Sequence, residues 1–175
     1  MTTACPGCFK GWRDDAFCNG CRKRLFDGKK VPSVLPFSRP AYDDLKLKVN
    51  PGRLSISGIQ TKISLALKDG RLEMVESSGR YILKPIPRGD YKRLEVMPIN
   101  EHLTMQIARQ VFKIDVAENA LVHFADGEPA YLVRRFDVQG DGSTEAYIGR
   151  VRRRAVDAAP GEDGVSALRR ALLNP

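Results

Sequence analysis

No run of apolar residues in this 175-residue chain approaches the roughly 20 that a membrane-spanning helix requires. The opening MTTACPGCFK lacks the apolar core of a secretory signal peptide, so the sequence predicts a cytoplasmic protein with no membrane association. No internal repeat and no low-complexity tract is visible, which excludes solenoids and propellers. Cysteine is absent after position 21. At this length, with 42% hydrophobic residues, the chain can build one modest domain or a small domain with an appendage, but not a large multidomain enzyme.

What is present in excess is positive charge, a formal +8 from 29 Lys and Arg against 21 Asp and Glu. Such a balance favours acidic partners such as nucleic acid, nucleotide phosphates or an anionic protein surface. The excess is local, however. Arg22, Lys23, Arg24, Lys29 and Lys30 follow the cysteines, and Arg150, Arg152, Arg153, Arg154, Arg169 and Arg170 crowd the tail. A uniformly basic reading face does not follow.

The four cysteines fall in CPGCFKGWRDDAFCNGC, as Cys5-x-x-Cys8 and Cys18-x-x-Cys21 with nine residues between the pairs. A tetrahedral zinc ion needs four donors converging at about 2.3 Å, and each CxxC turn directs two sulfurs at one ion. Gly7 and Gly20, each just before the second cysteine of its pair, would permit the tight backbone this requires. Two disulfides or unrelated thiols are the alternatives, and the missing export signal favours Zn2+. Phe9, Trp12 and Phe17 could stack on bases. In so small a metal-held segment they are expected rather to cover its core.

Residues 31–50 are punctuated by proline and read as a linker with at most a short helix. ISLALKDG and RLEMVES alternate around Asp69-Gly70 as a hairpin, and GRYILKPIP reads as a third strand stopped by Pro85 and Pro87. INEHLTMQIARQVF places Ile99, Leu103, Ile107 and Val111 at helical spacing, with Asn100 near the start. NALVHFADGEPAYLVRRFDV reads as two further strands. The order β-β-β-α-β-β predicts an α+β fold resembling a protein-kinase N-lobe.

Kinases cover nucleotide phosphates with a loop between two strands, neutralise them with a strand lysine, and orient that lysine through a helix glutamate. Ser57, Gly58, Gln60 and Thr61, then Lys84, then Glu101 stand in that order. Each also has a plain reading: a strand entry, a solvated lysine, and an acidic residue complementing a helix dipole.

Four blocks, SISGIQTKISLAL, YILKP, INEHLTMQIA and ENALVHFADGEPAYLVRRFD, together closely resemble the HipA family of bacterial serine/threonine kinases, the toxins of toxin–antitoxin modules, from about Leu35 to Asp137. The resemblance implies that Ser57, Gly58, Ile59, Gln60, Thr61 and Lys62 line the phosphates of ATP, bound with Mg2+. It implies that Lys84 contacts the nucleotide and Glu101 orients it, and that Arg134, Arg135 and Phe136 form the segment meeting the adenine. Arg134 departs from members with an acidic residue there. Ser55 and Ser57 fall in a loop that the family autophosphorylates, and a phosphate there adds roughly −2 charge where the nucleotide's own phosphates must sit.

Implied partners are an antitoxin, DNA only through that antitoxin, and a protein substrate of the kind represented by translation enzymes. Larger members carry an additional N-terminal subdomain, so the chain resembles a short form whose subdomain a separate protein supplies.

The expected organisation is a four-cysteine zinc knuckle over 1–30, a linker over 31–50, a kinase-like N-lobe over 51–138 and an irregular basic tail with a short terminal helix over 139–175. After Asp137 the sequence contains neither D-x-H-x-x-N nor Y-D, the family's catalytic-lobe motifs. No catalytic base is therefore assigned in this chain, and the chain alone is expected to bind nucleotide weakly and transfer phosphate negligibly. A reading-frame change near Ser143 would account for the Arg-rich tail, since codons for 144–152 shifted by one base can yield a family-like string. The alternative from another class is a zinc-dependent nucleic-acid-binding or antitoxin-like interaction module, whose affinity would fall steeply with salt.

Overall fold

The computed structural model describes residues 3–12, 16–49, 62–76, 79–90 and 92–138. Its centre is a five-stranded antiparallel sheet in the order β4-β3-β5-β7-β6, formed by β3 (Ile63–Lys68), β4 (Arg71–Val75), β5 (Tyr81–Pro85), β6 (Asn119–His123) and β7 (Pro129–Arg134). β3 and β4 pair from Lys68 with Arg71 outward, through a turn in which Asp69 and Gly70 both have positive φ (46° and 77°). That is the geometry for which Asp-Gly is suited, because its twist matches the flanking strands. Gly79 enters β5 so close to β3 that an added Cβ would lie 2.6 Å from the Leu65 carbonyl oxygen.

Alternation divides the sheet into two faces. One carries Leu65, Leu72, Tyr81, Leu83, Ala120, Val122, Ala130 and Leu132, all essentially buried. They pack with Leu25 and Phe26 of α1 (Asn19–Phe26), Val31, Leu35, and Tyr42 of α2 (Arg39–Val49) into one core. The segment expected as a linker thus holds an 11-residue helix and contributes to that core. The local reason is legible. Ser38 receives a hydrogen bond on its hydroxyl from the Ala41 amide, and Pro40 sits in the first turn, where its missing N–H costs nothing. The Arg39 amide donates to Asp126, and its guanidinium, buried against the Tyr42 and Phe124 rings, pairs with Glu128 and Asp43.

The other face is covered by α3 (Met97–Gln110), entered through a 3-10 turn at Leu94–Val96 and two residues earlier than the amphipathic pattern begins. Pro98 occupies its first turn. The helical period of Ile99, Leu103, Ile107 and Val111 is present, but these side chains are 40, 44, 42 and 66% exposed. The buried side of α3 is Pro98, His102 and Gln106. Periodicity identifies a face without saying which way it turns. Here the inward face is polar because Asn119 on β6 supplies its hydrogen bonds.

The cysteine segment contributes β1 (Thr3–Ala4) and β2 (Gly11–Trp12), an antiparallel pair, and lies along β6. Pro6 accepts from the Leu121 amide, while Ser33 and Leu35 pair with His123, so this outer strand's backbone groups are engaged. Phe17 is buried edge-on to Phe26, and Trp12 packs against the core, so these two aromatics cover the interior.

Candidate functional site

Lys84 is the fourth residue of β5, opposite Tyr131 of β7, and both point to the α3 side of the sheet. Glu101 lies in the second turn of α3 and meets Lys84 in an ion pair. Both side chains are about three-quarters buried, and the Lys84 ammonium stands 5.2 Å from the centre of the Tyr131 ring. Burial, reinforced by the Glu101 carboxylate, pushes the Tyr131 phenol well above its ordinary pKa, so it stays neutral. A cation held this way, between a carboxylate and an aromatic face, is ready to exchange one oxygen partner for another.

The Ile63–Leu83 pair ends the β3–β5 ladder, and Lys62, immediately before β3, is exposed at the same end of the ladder as Lys84, the residue after Leu83. Ser55, Ser57, Gly58, Ile59, Gln60 and Thr61 lie outside the described residues, as does the whole tail after Val138.

The structure does not bring Arg134 to Lys84. In the strand register Arg134 lies opposite Tyr81, on the other face of the sheet. Its guanidinium donates to the Arg24 and Leu25 carbonyls and pairs with Asp27 at the end of α1. Those last-turn carbonyls have no intrahelical donors, and a cation there also complements the helix dipole. The Arg134 side chain thus anchors the end of α1 to β7. Arg135 pairs with Asp137, and Phe136 is 39% exposed.

The four cysteine sulfurs lie within 4.8 Å of one another, with Cys8 and Cys18 Sγ 3.9 Å apart. Ligands about 2.3 Å from a tetrahedral zinc ion stand about 3.8 Å from each other, so the cluster fits such an ion. Cys5, Cys8 and Cys21 are buried and Cys18 is half-buried. Hydrogen bonds from the Cys21 thiol and the Cys18 and Gly7 amides pull the Cys5 thiol down to about 4 against the effect of burial. Burial pushes Cys8 up. The Cys18 amide donates to Cys5 Sγ at 3.3 Å and Arg24 to Cys21 Sγ at 3.5 Å, outer contacts that suit thiolates. A Cβ on Gly7 would lie 2.9 Å from both Cβ and Sγ of Cys21, so glycine is required there. Gly20, within α1, has only the Arg24 side chain at 3.4 Å, so the expectation of tight backbone holds for Gly7 and not for Gly20.

The model of the HipA-like C-terminal domain matches residues 54–167, more than half of the chain. The chain belongs to the HipA-like family. The match runs about thirty residues past Asp137, where the motif blocks read from the sequence stop. A Haemophilus influenzae (strain ATCC 51907 / DSM 11121 / KW20 / Rd) protein provisionally named a kinase is 39% identical to the HipA-like chain over 117 residues, 65% of this chain and 32% of that one. Among solved structures, the Shewanella oneidensis MR-1 toxin–antitoxin complex of HipA, HipB and operator DNA aligns at 25% identity with a TM-score of 0.37, covering 77% of this chain and 30% of that one. The HipA-like chain thus spans about a third of the length of the relatives it matches.

Sequence reasoning missed Tyr131 and the buried polar group of His102, Gln106 and Asn119. Tyr131 reads as an ordinary strand aromatic within PAYLVR. Only the β5–β7 register reveals that it flanks Lys84.

Proposed function

We propose that this chain forms the nucleotide-binding part of a HipA-type serine/threonine protein kinase of a toxin–antitoxin module. The observation that carries the reading is the Lys84–Glu101 pair on the helix-covered face of the sheet. An ammonium oriented by a helix carboxylate is the arrangement kinases use to neutralise nucleotide phosphates. Residues 57–62 would close over the phosphates of ATP with Mg2+, and phosphorylation of Ser55 or Ser57 would silence the site by putting a dianion where the nucleotide's phosphates must bind. Residues that orient the acceptor hydroxyl and hold Mg2+ would come from the remainder of a full-length relative. In this reading the partners are an antitoxin, with DNA reached through it, and a translation enzyme as substrate.

In this reading the four cysteines hold Zn2+ as a structural ion, since all four positions are protein thiolates and no ligand place remains open. The competing nucleic-acid module draws less support. Arg24 and Arg109 beside the knuckle are both engaged by Glu118, and Trp12 and Phe17 are used in packing.

Calorimetric titration of the full chain with ATP and Mg2+ tests the reading. Saturable binding that Lys84→Met weakens at least about 10-fold supports it. Binding of duplex DNA that collapses between about 50 and 200 mM salt, with no response to ATP, would favour the nucleic-acid module instead.

A further inference from the structure

The face of α3 turned toward the cysteine cluster is a ladder of polar side chains at positions 102, 106 and 110, one helical turn apart. The Gln110 side-chain amide donates to the Cys8 carbonyl at 2.9 Å and to Gln106 Oε1 at 3.1 Å. Gln106 in turn donates to Asn119 Oδ1 at 3.0 Å, and His102 Nδ1 meets the same oxygen at 2.7 Å. The ladder then returns to the cluster, because the His102 ring lies 4.5 Å, edge-on, from that of Phe9, the residue after Cys8. Phe9 holds φ at +60°, a conformation that costs a non-glycine residue about 1–2 kcal/mol and persists only where its surroundings enforce it. Glu101 is the immediate neighbour of His102 on the helix.

We infer that the metal-holding cysteine cluster positions helix α3 through Gln110 and the His102–Phe9 contact, so that metal occupancy and nucleotide binding at Lys84–Glu101 are thermodynamically linked. This rests on the nucleotide reading above and adds its regulation.

The physical reason lies in what keeps each part in place. β1 and β2 are two residues each, and the Pro6–Leu121 hydrogen bond and the packing of Trp12 hold the ends of this segment, so the Cys8–Phe9 turn between them depends chiefly on the metal. The Cys8 carbonyl is where Gln110 needs it only while Cys8 Sγ is fixed. A buried polar ladder also differs from an apolar seam: its side chains hydrogen-bond one another in a fixed register, so disturbing one end penalises the rest. Loss of metal frees the Cys8–Phe9 turn, takes from Gln110 its Cys8 acceptor and from His102 its contact with Phe9, and lets α3 shift. Because the helix moves as a unit, Glu101 moves with it and the Lys84 ammonium loses its orientation. His102, Gln106, Gln110 and Asn119 are positioning residues in this account, since none touches the reacting groups.

Linkage makes the test quantitative, because a factor by which metal strengthens nucleotide binding must equal the factor by which nucleotide strengthens metal binding. ATP affinity is measured on the full chain, zinc-loaded and zinc-stripped, and zinc affinity is measured by dye competition with and without ATP and excess Mg2+. The expected result is a change on the order of 10-fold in each direction, with hydrogen exchange at the α3 amides faster in the stripped protein. Zinc-loaded Gln110→Ala should keep one zinc per chain while losing most of the reciprocal effect. Equal ATP affinity in the loaded and stripped proteins overturns the linkage and leaves the nucleotide site standing. No ATP binding by the zinc-loaded wild type overturns both. Should stripping unfold the chain, zinc-loaded Gln110→Ala decides, and an unchanged effect of ATP on its zinc affinity overturns the inference.

Discussion

Lys84 on β5 and Glu101 on α3 form an ion pair across 17 residues of sequence, with the Tyr131 ring beside the ammonium. Neither residue is distinguished alone. Their value comes from being on the same side of a sheet whose other face is filled by core.

The first prediction concerns that pair. Glu101→Gln keeps the side chain's size and a hydrogen-bonding end but removes the charge that orients Lys84. ATP affinity should fall on the order of 10-fold, while Lys84→Met should cost at least as much, because it removes the phosphate contact itself. Thermal midpoints should fall little in Glu101→Gln, which keeps a hydrogen bond to Lys84, and further in Lys84→Met, which leaves the three-quarters-buried Glu101 carboxylate unpaired. Calorimetry and a melt on the same preparations check both statements.

Two glycines in equivalent sequence positions should behave differently. Gly7→Ala places a methyl 2.9 Å from Cys21 Sγ and should lower zinc affinity, on the order of 10-fold or more given how closely the ligands must converge. Gly20→Ala meets only a movable arginine and lies in α1, where alanine is favoured over glycine by up to about 1 kcal/mol. Zinc stoichiometry and dye competition separate the two. Equal loss in both variants contradicts the geometry.

Arg134 should matter for stability and not for nucleotide. Arg134→Ala removes the donors at the end of α1 and the pairing with Asp27, at a cost of about 1–3 kcal/mol in a chemical melt. Its ATP affinity should equal that of wild type. A fall in affinity with unchanged stability would place Arg134 at the adenine instead.

His102 makes the fold sensitive to mild acid. Burial lowers its pKa below the ordinary 6.5, against the hydrogen bond that Nδ1 makes to the Asn119 Oδ1 acceptor and the nearby Cys5, and Arg109 adds to the lowering. The unfolded chain therefore takes up a proton near pH 6.5 that the folded chain refuses. The contribution to stability is complete above that pH and is lost as pH falls below 6.5 toward the folded value, with a slope of at most about 1.4 kcal/mol per pH unit. Denaturant midpoints at pH 7.5, 6.5 and 5.5 should show this slope in wild type and a shallower one in His102→Gln. Parallel slopes would mean that the imidazole does not titrate differently on folding.

Much of this protein could be read from local pattern. Asp69-Gly70 dictates its hairpin because few residue pairs tolerate two positive φ angles in succession. The CxxC spacing brings its sulfurs together because each short turn allows little else. Ser38-Arg39-Pro40 carries a helix start, in which proline is a first-turn residue rather than the breaker that its local pattern suggests.

Orientation and pairing at a distance belonged to the tertiary structure. A period of 3.6 marks two faces on α3 without saying which is inward, and burial went to His102 and Gln106 because Asn119, on another strand, could satisfy them. Likewise strand alternation set Lys84 and Arg134 on different faces, but only the order β5-β7-β6 decided that one would meet a helix carboxylate and the other a helix end. Local sequence determines the conformations a segment can hold. Which of its sides is solvated, and by what it is otherwise satisfied, depends on groups far away in the chain.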